Sequence, residues 1–158
     1  MNPRDLPNHL VMHGPPMPPR IAARRLADSA IKGRYKPEAL HEYTDANGGT
    51  VYWRIRARLP DGSKVIRPMS VCGMVYDLRE PDFSAKKPIY RLRELAIADS
   101  SRPVWWVEGE QKADALADLG MLATTAGSAT SDDGCDFEPL RGRRVIAWPD
   151  NDAPGNQN

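Results

Sequence analysis

Three predicted strands in the last third of the chain constrain its fold more than any other feature. The first is the continuous apolar run Val104-Trp105-Trp106-Val107, and the other two cover residues 122–125 and 144–148. A continuous apolar run of this length is typical of a strand that is buried on both faces of a sheet, and the strand over residues 144–148 is expected to be buried as well. Residues 110–119 have helical spacing, and Gly120 predicts the end of that helix. The strand–helix–strand order therefore predicts a parallel sheet in an α/β domain.

Three carboxylates follow the first and third of these predicted strands. Glu108 comes directly after the first strand, and Asp150 and Asp152 come after the third. Functional groups in an open parallel sheet collect beyond the carboxyl ends of its strands, so these side chains are expected to converge. Carboxylate oxygens suit a hard cation such as Mg²⁺, which serves phosphoryl transfer in many enzymes.

Each of these acidic features also has a plainer interpretation. Asp150-Asn151-Asp152 close to Gly155 is typical of a solvated turn. A glutamate at the position of Glu108 is favoured by the dipole of the helix that follows it. Their combination at the ends of two apolar strands favours a metal site over an α/β fold with accidental acidic turns.

The first hundred residues have a different pattern. Residues 1–19 are rich in proline and predict an extended arm, and residues 20–31 predict a short helix. Asp45-Ala46-Asn47-Gly48-Gly49 predicts a tight turn, and the strand after it alternates between apolar and polar residues. We therefore expect three parts: a basic arm with a helix over residues 1–40, a curved antiparallel sheet over 41–100, and an α/β part over 101–158.

The polar face of the alternating strand carries three arginines, Arg54, Arg56 and Arg58, next to Tyr52. One interpretation is a surface that grips phosphates and stacks on a base of single-stranded nucleic acid. The other is the soluble outer face of a half-exposed strand, which alternation alone predicts. Both interpretations stay open at this point.

The charge distribution suits a protein that holds nucleic acid with one part and metal with the other, and the alternative is chance segregation of charges on a solvated surface. Residues 1–100 have an excess of Lys and Arg, and residues 101–158 have an excess of Asp and Glu. The two cysteines, Cys72 and Cys135, form no Cys-x-x-Cys pair and predict reduced thiols rather than a zinc ribbon. No apolar run approaches the roughly 20 residues that span a bilayer, so a membrane is not an expected partner.

The acidic motifs and their surroundings resemble the Toprim domain, and in particular that of phage- and plasmid-type DNA primases. Toprim is the catalytic domain shared by bacterial-type primases, type IA and type II topoisomerases and some nucleases. The resemblance covers about residues 41–155. It is carried by Lys86-Lys87-Pro88-Ile89-Tyr90-Arg91-Leu92-Arg93-Glu94-Leu95, Val107-Glu108-Gly109-Glu110, Asp114-Ala115-Leu116, Gly120, Ala123-Thr124-Thr125-Ala126-Gly127-Ser128-Ala129 and Pro149-Asp150-Asn151-Asp152-Ala153-Pro154-Gly155.

The resemblance implies a fold and roles for single residues. The fold is an α+β N-terminal part with curved antiparallel strands, followed by an incomplete α/β Toprim domain with a Rossmann-like parallel sheet. Asp150 and Asp152 are expected to bind Mg²⁺, with Mn²⁺ as an alternative, and Glu108 to act as an acid/base or metal ligand. Glu110 and Asp114 match less constant acidic positions. Primases often have an aspartate at the position of Lys112. A fourth carboxylate at the metal site would therefore have to come from Asp114.

The function implied is that of a DNA primase catalytic core, which makes RNA primers from ribonucleoside triphosphates on single-stranded DNA in the cytoplasm. A replicative helicase is a further expected partner. The expected template or triphosphate contacts are Arg54, Arg56, Arg58, Arg91 and Arg93. The plainer interpretation of Arg91 and Arg93 is ion pairing beside Glu94.

Two departures from the family leave other functions open. No zinc-binding module precedes the core, and the sequence ends at Asn158, where the family fold continues with another helix and strand. We therefore expect a fragment of a larger primase. The alternatives are a Toprim-type nuclease and an inactive remnant that binds single-stranded nucleic acid through its basic front part.

Overall fold

The computed structural model describes residues 9–11, 16–127 and 134–150 of the chain. Two compact units make up the chain. The first contains residues 1–43 and 50–82, and the second contains residues 44–49 and 83–158. These limits differ from the expected divisions after residues 40 and 100: the first helix belongs to the unit of the antiparallel sheet, and residues 83–100 belong to the unit of the parallel sheet.

The first unit is built on an antiparallel sheet with one helix. Its elements are β1 (His9–Val11), α1 (Pro19–Ala30), β2 (Lys36–Thr44), β3 (Thr50–Arg58), β4 (Lys64–Cys72) and β5 (Val75–Asp77). The strand order is β1-β5-β4-β3-β2. The turn between β2 and β3 is closed by the Asp45 carboxylate, which accepts hydrogen bonds from the backbone N–H groups of Asn47 and Gly49. This confirms the turn predicted from the Asn-Gly-Gly sequence.

Helix α1 is amphipathic and covers one face of this sheet. It begins with Pro19, whose fixed φ and missing N–H suit the first turn of a helix. Its buried side packs against apolar residues of β3, β4 and β5. The cluster contains Ala22, Ala23, Leu26, Ala27, Trp53, Ile55, Met69 and Tyr76. Burial of this apolar surface holds helix and sheet together.

The second unit contains the predicted parallel sheet. Its elements are α2 (Leu92–Ile97), β6 (Val104–Val107), α3 (Glu110–Asp118), β7 (Leu122–Thr124), a short 3₁₀ helix (Glu138–Leu140) and β8 (Val145–Trp148). The strand order is β7-β6-β8, and both pairings with β6 are parallel. Val104, Leu122, Ile89, Leu95 and Cys135 belong to its buried cluster. The chain is therefore α+β overall, as expected; its Toprim identity stays a prediction.

Three expectations about individual elements are wrong or incomplete. β8 was expected to be buried, but Val145 and Trp148 are 42% and 56% exposed, unlike the buried residues of β7 at the other edge of the sheet. Tyr52 was expected on the polar face of β3, but it is buried and stacks on Tyr43 of β2, with ring centroids 4.5 Å apart. The short elements β1, β5 and α2 lack a clear sequence pattern and were not predicted.

Candidate metal centre

Glu108 and Asp150 follow neighbouring parallel strands at the same edge of the sheet. β6 ends at Val107 and β8 at Trp148, and these two residues are register partners. Adjacent strands lie about 4.8 Å apart, so the two segments that carry the carboxylates begin side by side. Glu108 is exposed, and the side chain of Asp150 is 26% exposed. β6 and β8 are therefore neighbouring strands, as the predicted convergence of these carboxylates requires.

The third expected ligand, Asp152, lies outside the described residues. Within residues 16–127 and 134–150, no group of three His, Cys, Asp or Glu side chains has a geometry that could hold a metal ion. Asp152 lies outside this part of the chain, so the three-carboxylate site stays a prediction. The described part contributes two carboxylates, and Mg²⁺ usually takes only one or two from a protein.

The turn that presents Glu108 depends on Gly109. Gly109 has φ 86° and ψ 150°, a backbone conformation that is almost restricted to glycine. It directly precedes helix α3, and its carbonyl accepts the hydrogen bond from the N–H of Ala113 in the first turn. The glycine therefore lets the chain turn sharply from β6 into α3 and leaves Glu108 exposed at the junction.

Thr125 ties this turn to the segment that follows β7. Its buried hydroxyl oxygen accepts hydrogen bonds from the backbone N–H of Gly109 at 3.2 Å and from that of Gly127 at 3.0 Å. Two backbone donors next to the candidate site are thereby satisfied. No role was predicted for Thr125, although its position directly after a strand, at the edge of the candidate site, was a usable signal.

Glu110 lies in the first turn of α3 and is 3% exposed. An acidic side chain there is stabilised by the positive end of the helix dipole. Its burial separates it from the exposed Glu108, two residues earlier. This favours a structural function for Glu110 at the start of the helix, and its expected auxiliary metal function stays a prediction.

Asp114 is held by residues that precede α2. It accepts hydrogen bonds from the Tyr90 hydroxyl at 3.0 Å and from the Arg91 guanidinium at 2.9 Å. Burial raises the pKa of the Tyr90 hydroxyl, and the neighbouring Asp114 carboxylate raises it further. The Thr124 hydroxyl donates to the Tyr90 carbonyl at 2.6 Å. These contacts join α3, the end of β7 and the two residues that precede α2.

Lys112 brings a positive charge directly to the candidate site. Its ammonium group forms an ion pair with the Asp150 carboxylate, and the lysine side chain is 50% exposed. Both residues line a cleft of about 350 Å³ between α3 and the end of β8. The remaining lining residues are Val107, Ala115, Leu116, Trp148 and Pro149. Lys112 is the only cation that lines this cleft among the described residues.

The arginine face of β3 is engaged by a carboxylate within the first unit. Glu38 of β2 accepts hydrogen bonds from Arg56 at 2.8 Å and from Arg58 at 2.7 Å. The hydrogen bonds from Arg58 and then Arg56 lower the pKa of Glu38 to about 2. Arg54 is half-buried on the same strand. The buried Tyr52 is not available to stack on a base, so that part of the nucleic-acid interpretation is wrong.

Arg91 and Arg93 have different surroundings. Arg91 forms ion pairs with Glu94 at 3.0 Å and with Asp114 at 2.9 Å, which agrees with the plainer ion-pairing interpretation. Arg93 is exposed, donates a hydrogen bond to the Ala46 carbonyl at 3.3 Å and runs alongside Gly48. Contacts of either arginine with a template or a triphosphate stay predictions.

No protein-family model, curated protein or solved structure matches this chain. The resemblance to Toprim primases therefore depends on the motifs of this sequence. Among the described residues, no helix is both long enough and apolar enough to cross a membrane.

Proposed function

We propose that this chain carries the metal-binding part of a Toprim-type DNA primase catalytic core, which extends RNA primers on single-stranded DNA. The observation that carries the proposal is the register of β6 and β8, which starts the Glu108 and Asp150 segments side by side at one sheet edge. The reaction proposed, synthesis of RNA primers, is the one implied by the resemblance of the motifs to those of Toprim-type primases. A cytoplasmic setting and a helicase partner belong to the same proposal.

The donor set fits a hard divalent cation. Both described carboxylates are accessible to solvent, and they leave room for the water and phosphate oxygens that complete the shell of Mg²⁺. Asp152 is proposed as a further ligand. When bound, Mg²⁺ or Mn²⁺ would supply charge stabilisation for transfer of a phosphoryl group.

The protein's own groups would position the reactants. The exposed Glu108 would orient the 3′ hydroxyl of the primer and accept its proton. Gly109 and the Thr125 hydroxyl would hold that carboxylate in place through the hydrogen bonds of the β6–α3 turn. Such restraint matters because a misplacement of about 1 Å at a catalytic site costs about a hundredfold in rate.

The arginines are proposed to contact phosphates in different ways. Arg93, which is exposed, is the leading candidate, and the half-buried Arg54 stays a candidate. Arg56 and Arg58 share the single carboxylate of Glu38, so this trio keeps one net positive charge. A phosphate group would therefore meet a partly neutralised surface on β3, and the contribution of Arg56 and Arg58 to affinity is expected to be modest.

The test is incorporation of labelled ribonucleotides on single-stranded DNA in the presence of Mg²⁺. Wild-type chain is expected to make short RNA products, and Glu108→Gln and Asp150→Asn are each expected to lower the rate by about 100-fold or more, since even indirect support of a metal site is worth 10–100-fold. Asp118→Asn, an exposed carboxylate at the other end of α3, serves as the matched control and is expected to retain activity. Strand cutting without RNA product would contradict primer synthesis and indicate a nuclease.

A further inference from the structure

The ion pair between Lys112 and Asp150 raises a question of competition at the proposed metal site. Asp150 is one of the two described carboxylates at the sheet edge, and the ammonium group of Lys112 is already bound to it. A divalent cation that binds Asp150 must displace the ammonium group or share the carboxylate with it. Sharing keeps the metal ion and the ammonium group within a few ångströms of each other, where their repulsion is substantial, and displacement breaks the ion pair.

The lysine can leave this carboxylate at little cost. Its side chain is 50% exposed, and ion pairs at such exposed positions contribute little to stability. The four-carbon stem is flexible, and the ammonium group is a compact charge that binds phosphate as readily as carboxylate. The cleft beside it, lined by Val107 and Trp148, leaves space for a ligand next to both charges.

We propose that Lys112 is an exchangeable counter-ion of Asp150 and a phosphate-binding residue for the nucleoside triphosphate. Without ligand, its ammonium group neutralises Asp150 and weakens metal binding. When a metal–triphosphate complex binds, the Asp150 carboxylate would serve as a ligand of the metal and the Lys112 ammonium group would move to a phosphate oxygen. This inference rests on the proposed function and adds a residue that couples metal binding to triphosphate binding.

Such an exchange makes the two ligands cooperative. Metal alone has to compete with the ammonium group, and triphosphate alone meets a lysine that is occupied by Asp150. Together, the two ligands replace one ion pair with two, so each increases the affinity for the other. The free site is thereby kept from trapping a metal ion in the absence of substrate.

The experiment compares wild-type protein, Lys112→Met and Lys86→Met. Lys86 is an exposed lysine of the same unit and gives the matched control for loss of one positive charge. Mn²⁺ affinity is measured by electron paramagnetic resonance of the free ion. Affinity for the α,β-methylene analogue of GTP is then measured by calorimetry at saturating Mn²⁺. Thermal unfolding checks that each variant is folded.

For Lys112→Met we expect Mn²⁺ alone to bind about tenfold more tightly, because a nearby positive charge is lost. We expect the GTP analogue to bind about tenfold more weakly, because a charge-assisted contact to phosphate is lost. Lys86→Met should resemble the wild type in both measurements. Opposite changes in the two affinities agree with exchange, whereas a lysine that only stabilises the fold would change both in the same direction.

Two results would overturn the inference, and they separate it from the proposed function. If Asp150→Asn abolishes Mn²⁺ binding but Lys112→Met binds Mn²⁺ like the wild type, the metal site stands and the exchange does not. If neither the wild type nor Lys112→Met binds Mn²⁺, both proposals fail. A Lys112→Met variant that is weakened for both ligands also contradicts the exchange.

Discussion

Single residues at the edge of the parallel sheet explain why Glu108 is presented there. The sequence pattern located Glu108 correctly because a charged residue that follows an apolar run marks the end of a strand. It did not show that Gly109 has a positive φ, or that the Thr125 hydroxyl accepts two hydrogen bonds. One of these hydrogen bonds, from Gly109 to Thr125, joins positions that are 16 residues apart along the chain.

The contact of Lys112 was likewise not predictable from the sequence. In the sequence it was a departure from the expected acidic pattern, with no function assigned. In the structure it pairs with Asp150, which lies 38 positions later in the numbering. A pairing of this kind follows from the placement of α3 beside the end of β8, and no local pattern encodes it.

At the residue scale, Gly109→Ala is predicted to destabilise the second unit. A side chain at φ 86° and ψ 150° is strained, at a cost of about 1–3 kcal/mol. The comparison is Gly120→Ala, with φ 81° after the end of α3 and no atom within 4 Å of the added methyl group. It is expected to cost only about 1 kcal/mol, the usual penalty for a left-handed alanine. Urea unfolding measures both, and equal losses would contradict the special geometry of Gly109.

Among the elements, the long and strongly patterned ones were predictable. α1, α3, β3 and the three parallel strands were all expected near the observed positions. β1 and β5 have only three residues each, and α2 has six, so each contains too few positions to show periodicity. The exposure of β8 also escaped prediction, because an apolar run does not show whether other elements cover the strand.

The pairing of β2 with β3 gives a pH-dependent prediction at the element scale. The hydrogen bonds from Arg58 and Arg56 lower the pKa of Glu38 from 4.5 to about 2 in the folded protein. A carboxylate with a depressed pKa stabilises the folded state above the unfolded pKa and loses that contribution as the pH falls through the folded pKa. The contribution of Glu38 should therefore be present above about pH 4.5 and disappear towards pH 2.

Glu38→Gln tests this prediction. The variant is expected to be less stable than the wild type at pH 7, and the difference in free energy of unfolding should narrow as the pH falls from 4.5 to 2. Denaturant unfolding of both proteins across this range gives the difference directly. A difference that is constant with pH would show that Glu38 acts through packing rather than through charge.

For the whole molecule, the order of strands and helices was predictable, while the limits of the compact units were not. The α+β composition follows from the change of pattern near residue 100. The two units, however, divide the chain after Asp82, and residues 44–49 belong with the second unit. Residues 83–103 contribute Ile89 and Leu95 to the core of the parallel sheet, a contact between distant segments that local patterns do not reveal.

The most direct test of the proposal is whether Glu108 and Asp150 bind one metal ion together. Mn²⁺ affinity, measured by electron paramagnetic resonance, should fall at least about tenfold in Glu108→Gln and in Asp150→Asn, because each variant removes a charged oxygen ligand. Asp118→Asn on the same helix as Lys112 should bind Mn²⁺ like the wild type. Wild-type affinity retained in both Glu108→Gln and Asp150→Asn would contradict the metal centre and, with it, the primase function proposed for this chain.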